Sequence, residues 1–246
     1  MARTAAGGPS TARGSSSAAS PSPASPSHSA RQSPSPPASS TAGRATALPL
    51  RFGTGNASQV ITVTAASTVS TTATLQSWRR SAGQWRTVGP AVEAWLGSDG
   101  LSRHPSESRT ATPIGSFTLT QAFGHDADPG TAIPYTRTTP DDWWISQSGS
   151  LYNTRQRCAS GCDFTRGDPN EHLYYETPYY DFALVIDYNT RNAPGGVRQG
   201  AGSAFFLHVT VGQPTQGCVS IAKSQLVRLL RWLRPADHPR ILLGVR

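Results

Sequence analysis

The feature that most limits what this chain can fold into is the point at which its aromatic and acidic residues begin. No Phe, Trp or Tyr precedes Phe52, and no Asp or Glu precedes Glu93. From Met1 to about Pro49 the sequence is almost wholly Ser, Ala, Pro, Gly, Thr and Arg. Such a stretch buries too little apolar surface to offset the entropy of ordering a backbone. Residues 1–50 are therefore expected to form a disordered Ser/Pro/Ala-rich tail, and residues 51–246 a single folded domain. Mainly-β domains of about 200 residues commonly form one unit.

The net charge of +8 comes from 22 basic and 14 acidic residues. Four of the positive charges (Arg3, Arg13, Arg31 and Arg44) lie in the tail, and Lys223 is the sole lysine. A basic chain can bind nucleic acid, but the arginines are scattered and no nucleic-acid motif is present, so no nucleic-acid partner is expected. An anionic polymer at a cell surface suits the charge equally well. No run of eighteen apolar residues occurs, which predicts no membrane-spanning segment. An apolar export signal is likewise not legible in the sequence.

Three cysteines are present. Cys158 and Cys162, in Cys-Ala-Ser-Gly-Cys, are spaced to allow a small disulfide loop in an oxidising compartment. That pairing would leave Cys218 as a free, reactive thiol.

The folded part reads as short strands. Gln59–Thr64 carries Val60, Ile61 and Val63 among polar residues, and Thr71–Trp78 alternates again. Ser81–Gln84 is a turn leading to Trp85–Val88, and Val92–Leu96 reads as a fourth strand. After the turn at Thr112–Gly115, one strand is expected over Ser116–Phe123, with Phe117, Leu119 and Gln121 on one face. Residues 124–178 are poor in aliphatics but hold Trp143, Trp144, Tyr152 and other aromatics, which predicts a long lid or binding loop. Phe182–Asp187 and Ala204–Val209 are apolar runs of the kind found in buried strands. A helix is expected over about Ser224–Leu233, with Leu226, Leu229, Leu230 and Leu233 on one face and Pro235 ending it. The fold class is thus mainly β.

A cysteine attacks a carbonyl as its thiolate, and so needs a base and donors for the oxyanion. His208, at the end of an apolar strand, lies ten residues before Cys218. A loop containing Gly and Pro can bring the two together, opening onto a groove. The turn at Gly217-Cys218 can present backbone N–H groups to a developing negative charge. No His/Cys spacing suits zinc, so neither a metal nor any other cofactor is expected.

The segment Phe205-Phe-Leu-His208, followed by Pro214-Thr-Gln-Gly-Cys218-Val, resembles the signature of the L,D-transpeptidases (YkuD-type catalytic domain). Thr112-Pro-Ile-Gly-Ser-Phe, Ala122-Phe-Gly124, Tyr152-Asn153 and Tyr180–Asn189 add to the likeness, which runs from about Gln59 to the C-terminus and is nearest the variant found in high-GC Gram-positive bacteria. The resemblance implies a β-sandwich with one short helix after the cysteine and a long lid insertion. It places the nucleophile on Cys218, the general base on His208 and the backbone oxyanion donors on Gly217 and Cys218. Substrate contacts are expected at Thr215, Gln216, Tyr152, Asn153, Trp143 and Trp144.

Three departures from the family pattern stand out. Gln216 replaces a His, Val209 replaces a Gly or Ser, and Ser220 replaces an Arg or Asn. The whole base role then falls on His208, and any group orienting its ring is expected to be a backbone carbonyl. The reaction implied is cross-linking of peptidoglycan stem peptides through a thioester on Cys218 with release of D-alanine. Hydrolysis of stems at the same site, or a non-catalytic wall-binding module, are the alternatives. A monomer outside the cytoplasmic membrane is expected, with the tail as a flexible spacer.

Overall fold

The computed structural model describes residues 45–246. Of the tail expected over 1–50, residues 1–44 lie outside the described residues. The ordered unit begins earlier than residue 51. Strand β1 (Ala45–Thr46) pairs with a later strand, and Leu50 is buried. Leu48, Leu50 and Phe52 supply the apolar cover that Val60, Trp78 and Leu242 need on the outside of the sheet.

In chain order the strands are β2 (Gln59–Ala65), β3 (Thr72–Ser81), β4 (Gln84–Trp95), β5 (Leu101–Ser102), β6 (Thr112–Pro113), β7 (Gly115–Thr118), β8 (Ala122–Gly124) and β9 (Tyr135–Arg137). They continue with β10 (Asp142–Ile145), β11 (Thr154–Arg157), β12 (Glu171–His172), β13 (Ala183–Val185), β14 (Phe206–Val209), β15 (Val219–Ile221) and β16 (Arg240–Val245). Helix α1 (Lys223–Trp232) is the one α-helix among the described residues. The fold is mainly β, as the strand patterns imply. One large curled sheet runs β7-β16-β2-β3-β4-β15-β14-β13-β8-β9, while β11-β10-β12 form a separate small sheet.

Three sequence readings change. Val60 and Ile61 are both fully buried, on opposite faces of β2, because residues 48–57 cover the outer face. The strands expected at 85–88 and 92–96 are one strand, β4, continuous through Gly89-Pro90. Its register against β3 shifts between Leu75 and Ser77, and the Gln76 amide fills the irregularity by donating to the Val88 and Gly89 carbonyls at 3.3 and 3.2 Å.

The single strand expected over 116–123 is two, β7 and β8, and they lie near opposite ends of the large sheet. Only Leu119, Thr120 and Gln121 separate them, a span of at most about 14 Å. The sheet must therefore curl until its ends meet. Asp187 holds that junction. Its carboxylate accepts hydrogen bonds from Thr118 at 2.7 Å, Thr120 at 2.9 Å and Thr190 at 3.0 Å, with Asn192 at 3.4 Å. Inside the curl, Ile61, Val63, Leu75, Leu184, Leu207, Val209, Val219, Ile221, Ile241 and Leu243 share one core with Leu226, Leu229 and Leu230 of α1.

Replacing Asp187 by Ala leaves these donors without an acceptor and is expected to cost about 2 kcal/mol. Asp187→Asn should recover part of the loss. Thermal unfolding reads both, and an unchanged Tm for Asp187→Ala would show that other contacts hold the sheet ends together.

Candidate active site

Strands β14 and β15 pair in parallel, with Leu207 opposite Val219 and His208 opposite Ser220. Side chains alternate across a strand, so Leu207, Val209, Val219 and Ile221 point into the main core. Phe206, His208 and the preceding Cys218 point to the other face. His208 and Cys218 are thus diagonal neighbours on one face, a relation that separates Cα atoms by about 7–8 Å.

The turn that delivers Cys218 is fixed by its own residues. Gly217 has φ +127°, and a Cβ there would lie 2.8 Å from the Phe205 ring, so only glycine fits. The Thr215 hydroxyl accepts from the Gly217 N–H at 3.1 Å and donates to the Cys218 carbonyl at 2.7 Å. Thr112 donates to the same carbonyl at 3.3 Å. This corrects two expectations. Thr215 spends its hydroxyl on the turn rather than on a ligand, and the Gly217 N–H is engaged by Thr215 rather than presented as an oxyanion donor. Gln216 is exposed.

Neither key side chain opens onto a groove as expected. Cys218 is 8% exposed and His208 5%. The sulfur donates to the Ala204 carbonyl and accepts from the Phe206 N–H, each at 3.3 Å, instead of bonding His208. Burial, and then the neighbouring Glu171 carboxylate, push the Cys218 thiol well above its ordinary range. The His208 Nδ1 lies 2.9 Å from the Val209 carbonyl, the backbone orienter that the sequence implied. That contact assigns the proton to Nδ1 and leaves Nε2 as the basic nitrogen. Burial lowers the imidazole to about 4 against the opposing pull of that carbonyl. Thiol and imidazole are both neutral at rest.

The cover over the sulfur comes from the segment read as a lid, joined by Tyr180 just beyond its expected end. Trp144 of β10, Leu173 and Tyr180 close on Phe206 and Cys218. The Phe206 ring meets Phe123, Trp144 and Tyr180 edge to face, with centroids 5.0, 4.9 and 5.5 Å away. Trp143 points to the opposite face of the small sheet. It packs there with Ile145, Phe164 and the Cys158–Cys162 disulfide, and stacks on His172 at 3.9 Å. Cys218 is the free cysteine.

Asn153, with φ +57°, is a buried fastener. Its side-chain oxygen accepts from the Trp144 indole at 2.9 Å and from the Ala204 N–H at 3.1 Å, and its amide donates to the Asn189 carbonyl at 2.8 Å. Tyr152 is 2% exposed and its hydroxyl donates to Glu107. Tyr152, Asn153 and Trp144 are therefore structural members of the cover, their polar atoms engaged within it, while Trp143 packs on its outer side with its indole N–H buried and unpartnered among the described residues. Each is at most 4% exposed.

Two residues that the sequence reading did not single out for the site border its chemistry. The Tyr180 ring stands edge to face against His208 at 5.6 Å, beside Tyr179 at 6.0 Å. The Tyr180 hydroxyl donates to Glu171 at 2.5 Å. Glu171 lies directly opposite Trp144 in the small sheet and so shares its inward face. Burial raises this carboxyl to about 7, against the pull of the tyrosine hydroxyl. The signal for it was faint: Glu171 is one of only four glutamates in the chain.

His125, Asp126 and Asp181 bring ligand atoms within 4.8 Å of one another, but Lys223 Nζ sits against both carboxylates at 2.7 Å and supplies the positive charge itself.

Two tests follow from this geometry. Asn153→Ala removes the fastener, leaving the Trp144 indole and Ala204 amide unpaired, and is expected to raise the rate of Cys218 alkylation by iodoacetamide at least tenfold. An unchanged rate would mean that the cover is held elsewhere. The second concerns pH. Because the folded His208 titrates near 4 and its free value is 6.5, its contribution to stability is complete above about pH 6.5 and is lost as pH falls towards 4. Glu171 slopes the other way, so the difference between the native protein and His208→Gln isolates the histidine. That difference should shrink by up to about 3 kcal/mol across the window, read by denaturant unfolding.

No protein-family model, curated protein or solved structure matches this chain.

Proposed function

We propose that this chain is a cysteine acyltransferase of the L,D-transpeptidase type, acting on peptidoglycan stem peptides outside the cytoplasmic membrane. The observation that carries the reading is the diagonal placement of His208 and Cys218 on one face of the β14–β15 pair, at a turn that only glycine permits. A free thiol beside a disulfide formed elsewhere in the chain suits an exported enzyme. Among the described residues no helix is long and apolar enough to cross a membrane.

In this reading the cover must move before a stem peptide can enter. His208 Nε2 then takes the Cys218 proton as the sulfur attacks the amide carbonyl preceding the terminal D-alanine. The resting pair is neutral, so proton transfer accompanies attack instead of preceding it. The departing amine receives the proton from His208, and a thioester remains on Cys218. A side-chain amine of a second stem resolves the thioester into a cross-link, while water in its place gives the carboxypeptidase outcome.

The second reading, a non-catalytic wall-binding module, is favoured by one observation: the sulfur is buried and its thiol strongly disfavours ionisation. Intact-protein mass spectrometry after incubation with a tetrapeptide stem or a carbapenem separates the two. An adduct that vanishes in Cys218→Ala is expected. His208→Ala should slow its formation by about 10²–10⁴-fold. A native protein that never acquires the adduct would leave the binding module as the better account.

A further inference from the structure

We propose that Glu171, held by Tyr180, is the amine-receiving group of this site, and that it binds the cationic side-chain amine of the acceptor stem and takes its proton before the amine attacks. The proposal rests on the acyl-transfer reading above and names the half of the site that handles the second substrate.

The geometry points to this role. Glu171 is on the inward face of the small sheet, opposite Trp144, which itself packs on Phe206 beside the sulfur. One carboxylate oxygen is fixed by the Tyr180 hydroxyl, whose ring stands against His208. Glu171 keeps part of its surface exposed but its carboxyl is enclosed, so like Cys218 it is reached when the cover moves. Glu176 and Glu107 add negative potential around it, Cys218 lies within its electrostatic reach, and its paired aromatic groups carry no positive charge. Among the described residues no cation acts on Glu171, and an ammonium group would supply one.

The order of events follows from the same proximity. A carboxylate beside Cys218 opposes a thiolate, so the two charges compete before acylation. Once the sulfur is a thioester no thiolate can form there, so an ionised Glu171 meets no competing charge on it. The ammonium then gives one proton to the carboxylate. The free amine attacks, the C–N bond forms and the C–S bond breaks. A second nitrogen proton passes through His208 Nε2 to the sulfur, restoring the thiol. Glu171 returns its proton to solvent.

The test is the ratio of aminolysis to hydrolysis of the acyl-enzyme at a fixed acceptor concentration, since this ratio divides out any change in acylation. With a stem peptide bearing a charged side-chain amine, Glu171→Gln should lower the ratio at least tenfold. Tyr180→Phe should lower it less, and Glu171→Asp should restore part of it. With hydroxylamine as acceptor, which is uncharged near neutral pH, Glu171→Gln should have little effect. A ratio within about twofold of native for the charged amine, or an equal loss with both acceptors, overturns the proposal, the second outcome marking a merely structural role. Failure of the native protein to form any acyl-enzyme is a different result, and it removes the acyl-transfer reading together with this one.

Discussion

Everything at the site depends on the in-register parallel pairing of β14 with β15. Parallel neighbours ordinarily need a crossover of a dozen or more residues, and here residues 210–218 suffice. A path that short leaves little choice. It is tied to the end of β4 by the Thr215 N–H, which donates to the Leu96 carbonyl at 2.8 Å, and by the Ser98 N–H, which donates to Thr215 at 2.9 Å. It closes through a glycine with no room for a side chain. Slipping the pair by one residue would send His208 into the aliphatic core and Val209 out of it.

Much of this was legible in the residues. The helix after Cys218 is where the leucine spacing puts it, and the apolar runs ending at His208 and Asp187 contain strands. The strand reading failed between Gly115 and Phe123 because Phe117 and Leu119 continue an alternation across a break in pairing. Nothing local says that Thr118 and Thr120 turn their hydroxyls to Asp187, nearly seventy residues away in the chain. The lid aromatics failed for a related reason. Trp143 and Trp144 are chemically alike, yet strand alternation sends one outward to the disulfide and the other inward to Phe206. Glu171 escaped notice because its importance lies in its register opposite Trp144, which sequence spacing does not encode.

The electrostatics of the site are those of a resting, uncharged state. Among the described residues, no guanidinium or ammonium offsets the effect of burial or of Glu171 on the sulfur. The charged groups of the lid are used in its framework instead. Asp142, fully buried, is desolvated, yet hydrogen bonds from Arg157 and Thr139 hold its carboxyl below its ordinary range. Arg155 and Arg157 reach it at 2.7 and 2.8 Å. Positive charge is thereby committed to bracing β10 against β11.

That bracing gives the small sheet a property beyond covering a sulfur. With Trp143, Ile145, Phe164 and the Cys158–Cys162 bridge on its outer side, it has a miniature interior of its own. It behaves mechanically as a stiff plate and not as a floppy strap. A plate of this kind would lift as a unit, the work of lifting it set by the adhesion of its underside. Its internal cohesion does not enter. Access to the thiol then becomes a matter of leverage, concentrated in the few inward-facing residues where the plate grips the sheet beneath.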